Sequence, residues 1–210
     1  MRVSITSSSH LRRLCYILLI LLPAACGNGV PSVSPLDSNA VVLAFGNSLT
    51  FGTGASTAES YPAVLEGLIH RKVINAGVPG EVTSQGLARL PEFLDKHQPA
   101  LLILCHGGND LLRRTGEKQA AENIRAMIKM AKERGIDVAL IGVPKPGLSV
   151  PVAGFYEDIA REFDIPYEGE TLADILSTSS LKSDMIHPNA RGYAELAQSV
   201  ASLLRKAKAI

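Results

Sequence analysis

A three-layer α/β/α fold built on one mostly parallel, five-stranded sheet is the fold class this sequence predicts. Three observations predict it. From residue 41 onward, short apolar runs alternate with stretches of helical spacing. No two-residue turn signal joins consecutive runs as hairpins, so neighbouring strands must be linked by crossovers. The chain of 210 residues is 46% hydrophobic and 20% charged, which suits one domain with a substantial core.

The elements follow in order. Val41 to Phe45 is a short strand apolar on both faces, stopped by Gly46. Apolar residues at 61, 64, 65, 68 and 69 give a helix over Tyr61 to Ile69. Val73 to Ala76 is the second strand, closed by Gly77. Thr83 to His97 is helical, with Pro91 expected to break or bend it. Ala100 to Cys105 is the third and most apolar strand. Glu117 to Arg134 forms a long amphipathic helix with Ile124, Met127, Ile128 and Ala131 on one face, ended by Gly135. Asp137 to Val143 is the fourth strand, Phe155 to Phe163 a helix, and Ile165 to Tyr167 a weak fifth strand. Asn189 caps a final helix that runs to about Lys206. The outline is flavodoxin-like, with no internal repeat and no second domain.

The amino-terminal stretch reads differently. His10, Arg12 and Arg13 precede the apolar run from Leu14 to Leu22, and Pro23-Ala24-Ala25-Cys26 follows. A basic flank, a short apolar core and small residues are the layout of an export signal. The run is shorter than the roughly 20 residues a membrane-spanning helix needs. Its end resembles a bacterial lipoprotein box with Cys26 as the acylated residue, although Pro23 stands where such boxes usually carry leucine. The expected division is a signal over 1–25, a flexible tether rich in glycine, proline and serine over 26–38, and the folded domain over 39–210. The protein is then exported and held at a membrane through Cys26, with a periplasmic or secreted form as the alternatives. A formal net charge of +1 and the lack of a basic stripe with interleaved aromatics give no nucleic-acid partner. Cys105 is left alone in the domain, within an apolar strand, and reads as a buried inert thiol.

Polar residues that packing does not require collect in four loops. They are Gly46-Asn47-Ser48-Leu49, Asn75-Ala76-Gly77-Val78-Pro79-Gly80, His106-Gly107-Gly108-Asn109-Asp110, and Ser183-Asp184-Met185-Ile186-His187-Pro188-Asn189. The first three follow strands, and carboxyl ends of parallel strands share one edge of the sheet. Acyl transfer to a serine needs a base, a group that fixes the base's tautomer, and donors aimed at the developing oxyanion. The loops offer each: Ser48 as nucleophile, His187 as base, Asp184 three residues earlier as its partner, and the amides of Ser48, Gly77 and Asn109 as donors. The serine does not sit in a nucleophile elbow, because position 50 is Thr50 rather than glycine.

These four blocks, in this order over residues 41 to 205, resemble the SGNH or GDSL hydrolases, within them the thioesterase I, lysophospholipase and arylesterase branch. The resemblance implies catalytic Ser48, Asp184 and His187, an oxyanion hole from Ser48, Gly77 and Asn109, and no metal or organic cofactor. It implies a carboxylic ester hydrolase acting on acyl, aryl or lysophospholipid esters or on acyl thioesters. Two alternatives stand beside it: an acetylesterase acting on cell-wall or other carbohydrate O-acetyl groups, and an inactive ligand-binding module. The family's aspartate before the nucleophile is Asn47 here, a residue the proton-transfer scheme does not use. Among the remaining polar residues, His106 reads as satisfied by backbone, Asp110 as a local loop holder, and Asp174 as a weaker competitor for His187. The stretches 144–153 and 168–180 are expected to be loops that wall the acyl pocket.

Overall fold

The computed structural model describes residues 1, 29–114, 116–147 and 151–210. Residues 2–25 of the expected export signal, Cys26, the first residues of the expected tether and part of the 144–153 stretch lie outside the described residues. The apolar runs form one sheet of strands β1 (Val41–Gly46), β2 (Lys72–Gly77), β3 (Leu101–Cys105), β4 (Asp137–Ile141) and β5 (Tyr167–Glu168). Their spatial order is β2-β1-β3-β4-β5, and every neighbouring pair is parallel. β3 is buried at all of its positions, as a central strand covered on both faces must be.

The helices are α1 (Ser48–Phe51), α2 (Tyr61–Ile69), α3 (Thr83–His97), α4 (Gly108–Arg113), α5 (Glu117–Lys132), α6 (Phe155–Phe163), α7 (Thr171–Ser177) and α8 (Ala190–Lys206). α2 and α7 pack on α8 at one side of the sheet, while α5 packs between α3 and α6 at the other. This is the three-layer α/β fold expected from the alternation of runs. The chain leaves β1 toward β2 and returns toward β3, so the cleft between β1 and β3 is the switch point where α/β sheets hold their ligands.

Several elements differ from the sequence expectation, for physical reasons. α3 runs unbroken through Pro91, because its buried Leu90 and Leu94 anchor both flanking turns on the core. The fourth strand stops at Ile141, and β5 comprises only Tyr167 and Glu168. The stretch 168–180 is not a plain loop: α7 lies inside it, with Leu172, Ile175 and Leu176 buried. Part of the tether is not free either. Val33 and Leu36 donate their amides to the carbonyls of Ala207 and Ala209 at 3.0 and 2.8 Å, and Leu36 is buried. Ser34 N–H donates to Asp137 at 2.7 Å.

Three fully buried tyrosines tie the helical layers to the loops at the carboxyl edge. Tyr156 donates to the carbonyl of His106 at 2.7 Å, and Tyr193 to that of Thr53 at 2.8 Å. The hydroxyl of Tyr61 lies 3.4 Å from that of Thr50. Burial pushes all three phenols above their ordinary range, so they stay protonated donors.

Candidate active site

Ser48 stands at the first position of α1, directly past the carboxyl end of β1. The side-chain oxygen of buried Asn47 accepts the Leu49 amide at 3.0 Å and caps this single turn. The acceptor that the loop needs is therefore present with asparagine in place of aspartate. The cap also assigns the Asn47 amide: Oδ1 faces the turn and Nδ2 faces Gly108.

His187 arrives from a loop folded on itself. Ser183 donates its amide to the His187 carbonyl at 2.9 Å, and Lys182 bridges Pro188. Asp184 Oδ1 accepts the amides of Ile186 and His187, each at 2.8 Å. Its Oδ2 lies 2.7 Å from His187 Nδ1, while His187 Nε2 lies 3.0 Å from Ser48 Oγ. Partial burial raises the Asp184 pKa, but the His187 ring and the two backbone amides outweigh it and hold the carboxyl below its usual range. An ionised Asp184 places the ring proton on Nδ1 and leaves the Nε2 lone pair facing the serine hydroxyl. Asp174 is exposed on α7 and has no part in this arrangement.

Asn109 lies in the first turn of α4, after β3. One hydrogen of its Nδ2 goes to the Glu81 carbonyl at 2.9 Å, which leaves the other for a ligand. Glu81 ends a turn in which its amide donates to the Val78 carbonyl at 3.2 Å. Pro79 and a left-handed Gly80 at φ 78° fill the two central positions, as in a type II turn. Such a turn points the central amide of Gly80 outward, and that amide has no partner among the described residues. Gly77 is placed differently from the sequence expectation. Its amide donates to Asn75 Oδ1 at 3.0 Å, and a Cβ there would stand 2.1 Å from the Phe51 nitrogen. Its lack of a side chain serves the contact between β2 and α1.

Beneath Asn109 lies a buried charged network that sequence reasoning missed. Arg89 grips Glu81 with two bonds of 2.6 and 2.8 Å, donates to the Ala76 carbonyl at 2.7 Å, and stacks 3.9 Å above the Phe45 ring. His106, fully buried, accepts the Gly107 amide on Nδ1 at 3.0 Å, so its Nε2 carries the proton toward Glu81 Oε2, also 3.0 Å away. Burial raises the Glu81 pKa, but the bonds from His106 and Arg89 prevail and lower it. Asp110 reaches beyond its own loop: it accepts both the amide and the hydroxyl of Thr83, at 2.9 and 2.7 Å, and so caps α3 from a different loop. The Pro79-Gly80 pair signals a turn in the sequence. Nothing local signals the pairing of Glu81 with Arg89 and His106.

Asn47, Ser48, Asn109 and His187 line one cavity of about 40 Å³, walled by Leu112, Val143, Pro144, Pro146, Leu176, Met185 and Ile186. Cys105 lies outside it, fully buried, its thiol pushed up to about 12 by burial. Among the described residues no group of histidine, cysteine and carboxylate side chains is arranged to hold a metal ion.

A sequence model described as the GDSL-like lipase/acylhydrolase family matches residues 44–195. The thioesterase 1/protease 1/lysophospholipase L1 of Escherichia coli is 31% identical over 156 residues, covering 70% of this chain and 75% of that protein. A crystal structure of TesA superposes with a TM-score of 0.74 at 27% identity, over 79% of this chain and 98% of that one. The structure of AlinE4, an SGNH-hydrolase family esterase, does so with a TM-score of 0.64 at 33% identity, over 82% of this chain and 98% of that one. With a serine, an imidazole and a carboxylate in one hydrogen-bonded line at the switch point, and a matching span of this length, the chain belongs to the GDSL-like lipase/acylhydrolase family of ester hydrolases.

Proposed function

We propose that the chain hydrolyses carboxylic esters through an acyl-enzyme on Ser48. The observation that carries the reading is the 3.0 Å contact between Ser48 Oγ and His187 Nε2, with Asp184 on the other ring nitrogen. His187 takes the serine proton as Oγ bonds to the ester carbonyl carbon. The tetrahedral oxyanion is met by the amides of Ser48 and Gly80 and by the free hydrogen of Asn109 Nδ2; Gly80 replaces Gly77 because the Gly77 amide is engaged by Asn75. The C–O bond to the leaving group breaks, and His187 returns the proton to the departing alkoxide. Water then attacks the acyl-enzyme by the same route, releasing the acid and restoring the serine hydroxyl.

The cavity sets the acyl preference. About 40 Å³ holds only a few waters' worth of substrate, so acetyl to butyryl groups fill it. Longer chains must run out across Leu112 and Met185, which stand half exposed and largely exposed at its mouth. An ester series of rising acyl length tests this: kcat/KM is expected to be highest for short chains and to fall gently beyond them. No turnover of any ester or thioester would contradict the reading.

The same protein is exported and anchored through an acylated Cys26. The basic flank, the apolar run and the small residues before Cys26 support this. Among the described residues no helix is long and apolar enough to cross a membrane. Cys26→Ser is expected to move the protein from the detergent phase to the aqueous phase; unchanged partitioning would count against the anchor.

A further inference from the structure

The large apolar side chains that the fold leaves exposed are not scattered. Apart from the chain-terminal Met1 and Ile210, those among the described residues are Phe51, Val78, Leu112 and Met185, at 50, 41, 45 and 77% exposure. Each belongs to a different site loop. Phe51 ends the turn that begins at Ser48, Val78 opens the Gly80 turn, Leu112 lies on α4 after Asn109, and Met185 sits between Asp184 and His187. Single exposed apolar residues need no explanation, but Leu112 and Met185 line the cavity itself, Phe51 and Val78 stand on the turns that follow β1 and β2 at the same edge of the sheet, and the described residues hold no others except at the chain ends; together they mark a contact surface.

The charge beside them says what is contacted. Leu112 runs directly into Arg113 and Arg114, both exposed, and neither guanidinium meets a carboxylate among the described residues. Among the described residues Arg113 donates only to the Gly80 carbonyl, at 2.8 Å. Apolar side chains that can enter an acyl boundary, flanked by unpaired cations, match the surface of a bilayer bearing anionic phospholipid. We infer that the carboxyl edge of the sheet, which carries the mouth of the site, docks on such a surface through Leu112 and Met185 at the cavity and Phe51 and Val78 beside it, with Arg114 on the headgroups. The acyl-ester reading enters only in calling this opening a substrate mouth. Docked in this way, the cavity faces the lipid, and an acyl chain leaving it passes over Leu112 and Met185 without crossing water.

The chain contains no tryptophan, so a single one reports its own position. In the full-length Ser48→Ala protein, Phe51→Trp puts the probe at the end of α1, on the edge of the sheet that carries the site. Lys96→Trp puts it near the end of α3, at the opposite edge of the sheet. With phosphatidylglycerol vesicles carrying brominated acyl chains, the Phe51→Trp emission is expected to shift to the blue and be quenched, and the Lys96→Trp emission to stay unchanged. Adding Arg114→Gln to the Phe51→Trp protein should weaken that quenching, with about fivefold more vesicle needed for half the effect. Equal quenching of both probes, quenching of Lys96→Trp alone, or no quenching of Phe51→Trp would overturn the docking face. Because this protein lacks the serine hydroxyl, failure here is separate from failure of the hydrolase reading, which the ester series tests by turnover.

Discussion

The two halves of the proposed site, one for proton transfer and one for the oxyanion, are built in opposite ways. The proton-transfer half, Asp184 and His187, comes from one loop of the sequence, and the Asp184 side chain is half exposed. Three bonds within four residues hold it: two backbone amides on Oδ1 and the imidazole on Oδ2. The oxyanion half is assembled from three segments and sits on buried charge. Glu81, in the loop after β2, joins Arg89 of α3 to His106 and Asn109 in the segment after β3. The difference teaches where rigidity is needed. A histidine must turn slightly as it passes its proton on, so a local loop suffices. Donors to an oxyanion act by being fixed before the charge appears, and a buried ion pair fixes them.

Substitutions can break this comparison, from the largest expected effect down. Ser48→Ala and His187→Ala should each lower kcat by about 10⁵- to 10⁶-fold, and the double variant scarcely further, because the two act as a unit. Steady-state kinetics on a soluble ester checks this. Asp184→Asn should cost about 10⁴-fold in kcat, as the ring loses the charge that fixes its tautomer. Asn109→Ala should cost about 10²- to 10³-fold in kcat with KM little changed. Glu81→Gln tests the other half: a loss of about tenfold in kcat at constant KM, together with about 3 kcal/mol of stability in urea unfolding, because Arg89 is left facing a neutral group. If Glu81→Gln lost stability but kept full kcat, the network would hold the fold and not the donors.

Acid titration sharpens the same contrast. The folded Glu81 pKa lies below its unfolded value of about 4.3, so its contribution is fully present above that value and is lost as pH falls through the lowered folded one. The melting temperature of the wild type should therefore drop below about pH 4, and Glu81→Gln should flatten part of that drop. Asp184 follows the same direction, but its exposure weakens its share.

What the sequence discloses of this molecule follows from how local each signal is. The strands declare themselves as apolar runs, and β3, buried at every position, is the clearest. The spacing of Asp184 and His187 is local, so their partnership can be read without coordinates. Short helices escape: α1 and α4 have four and six residues, too few for a periodic pattern, and begin with loop-forming residues. The network under Asn109 escapes for another reason. Glu81 and His106 lie 25 residues apart and meet only because the register sets Gly46 beside both Gly77 and Cys105. Gly80 and Gly77 are separated in the sequence only by the turn signal of Pro79-Gly80; that the Gly77 amide is engaged by Asn75 while that of Gly80 is not takes coordinates to see.

The central claim is that His187 makes Ser48 nucleophilic. Reaction of the full-length protein with an organophosphonate ester, followed by peptide mass mapping, tests it most directly. A single adduct on Ser48, formed quickly in the wild type, slowly in Asn109→Ala and not at all in His187→Ala, is the predicted result. An adduct elsewhere, or equal labelling of Ser48 with and without the imidazole, would contradict the account.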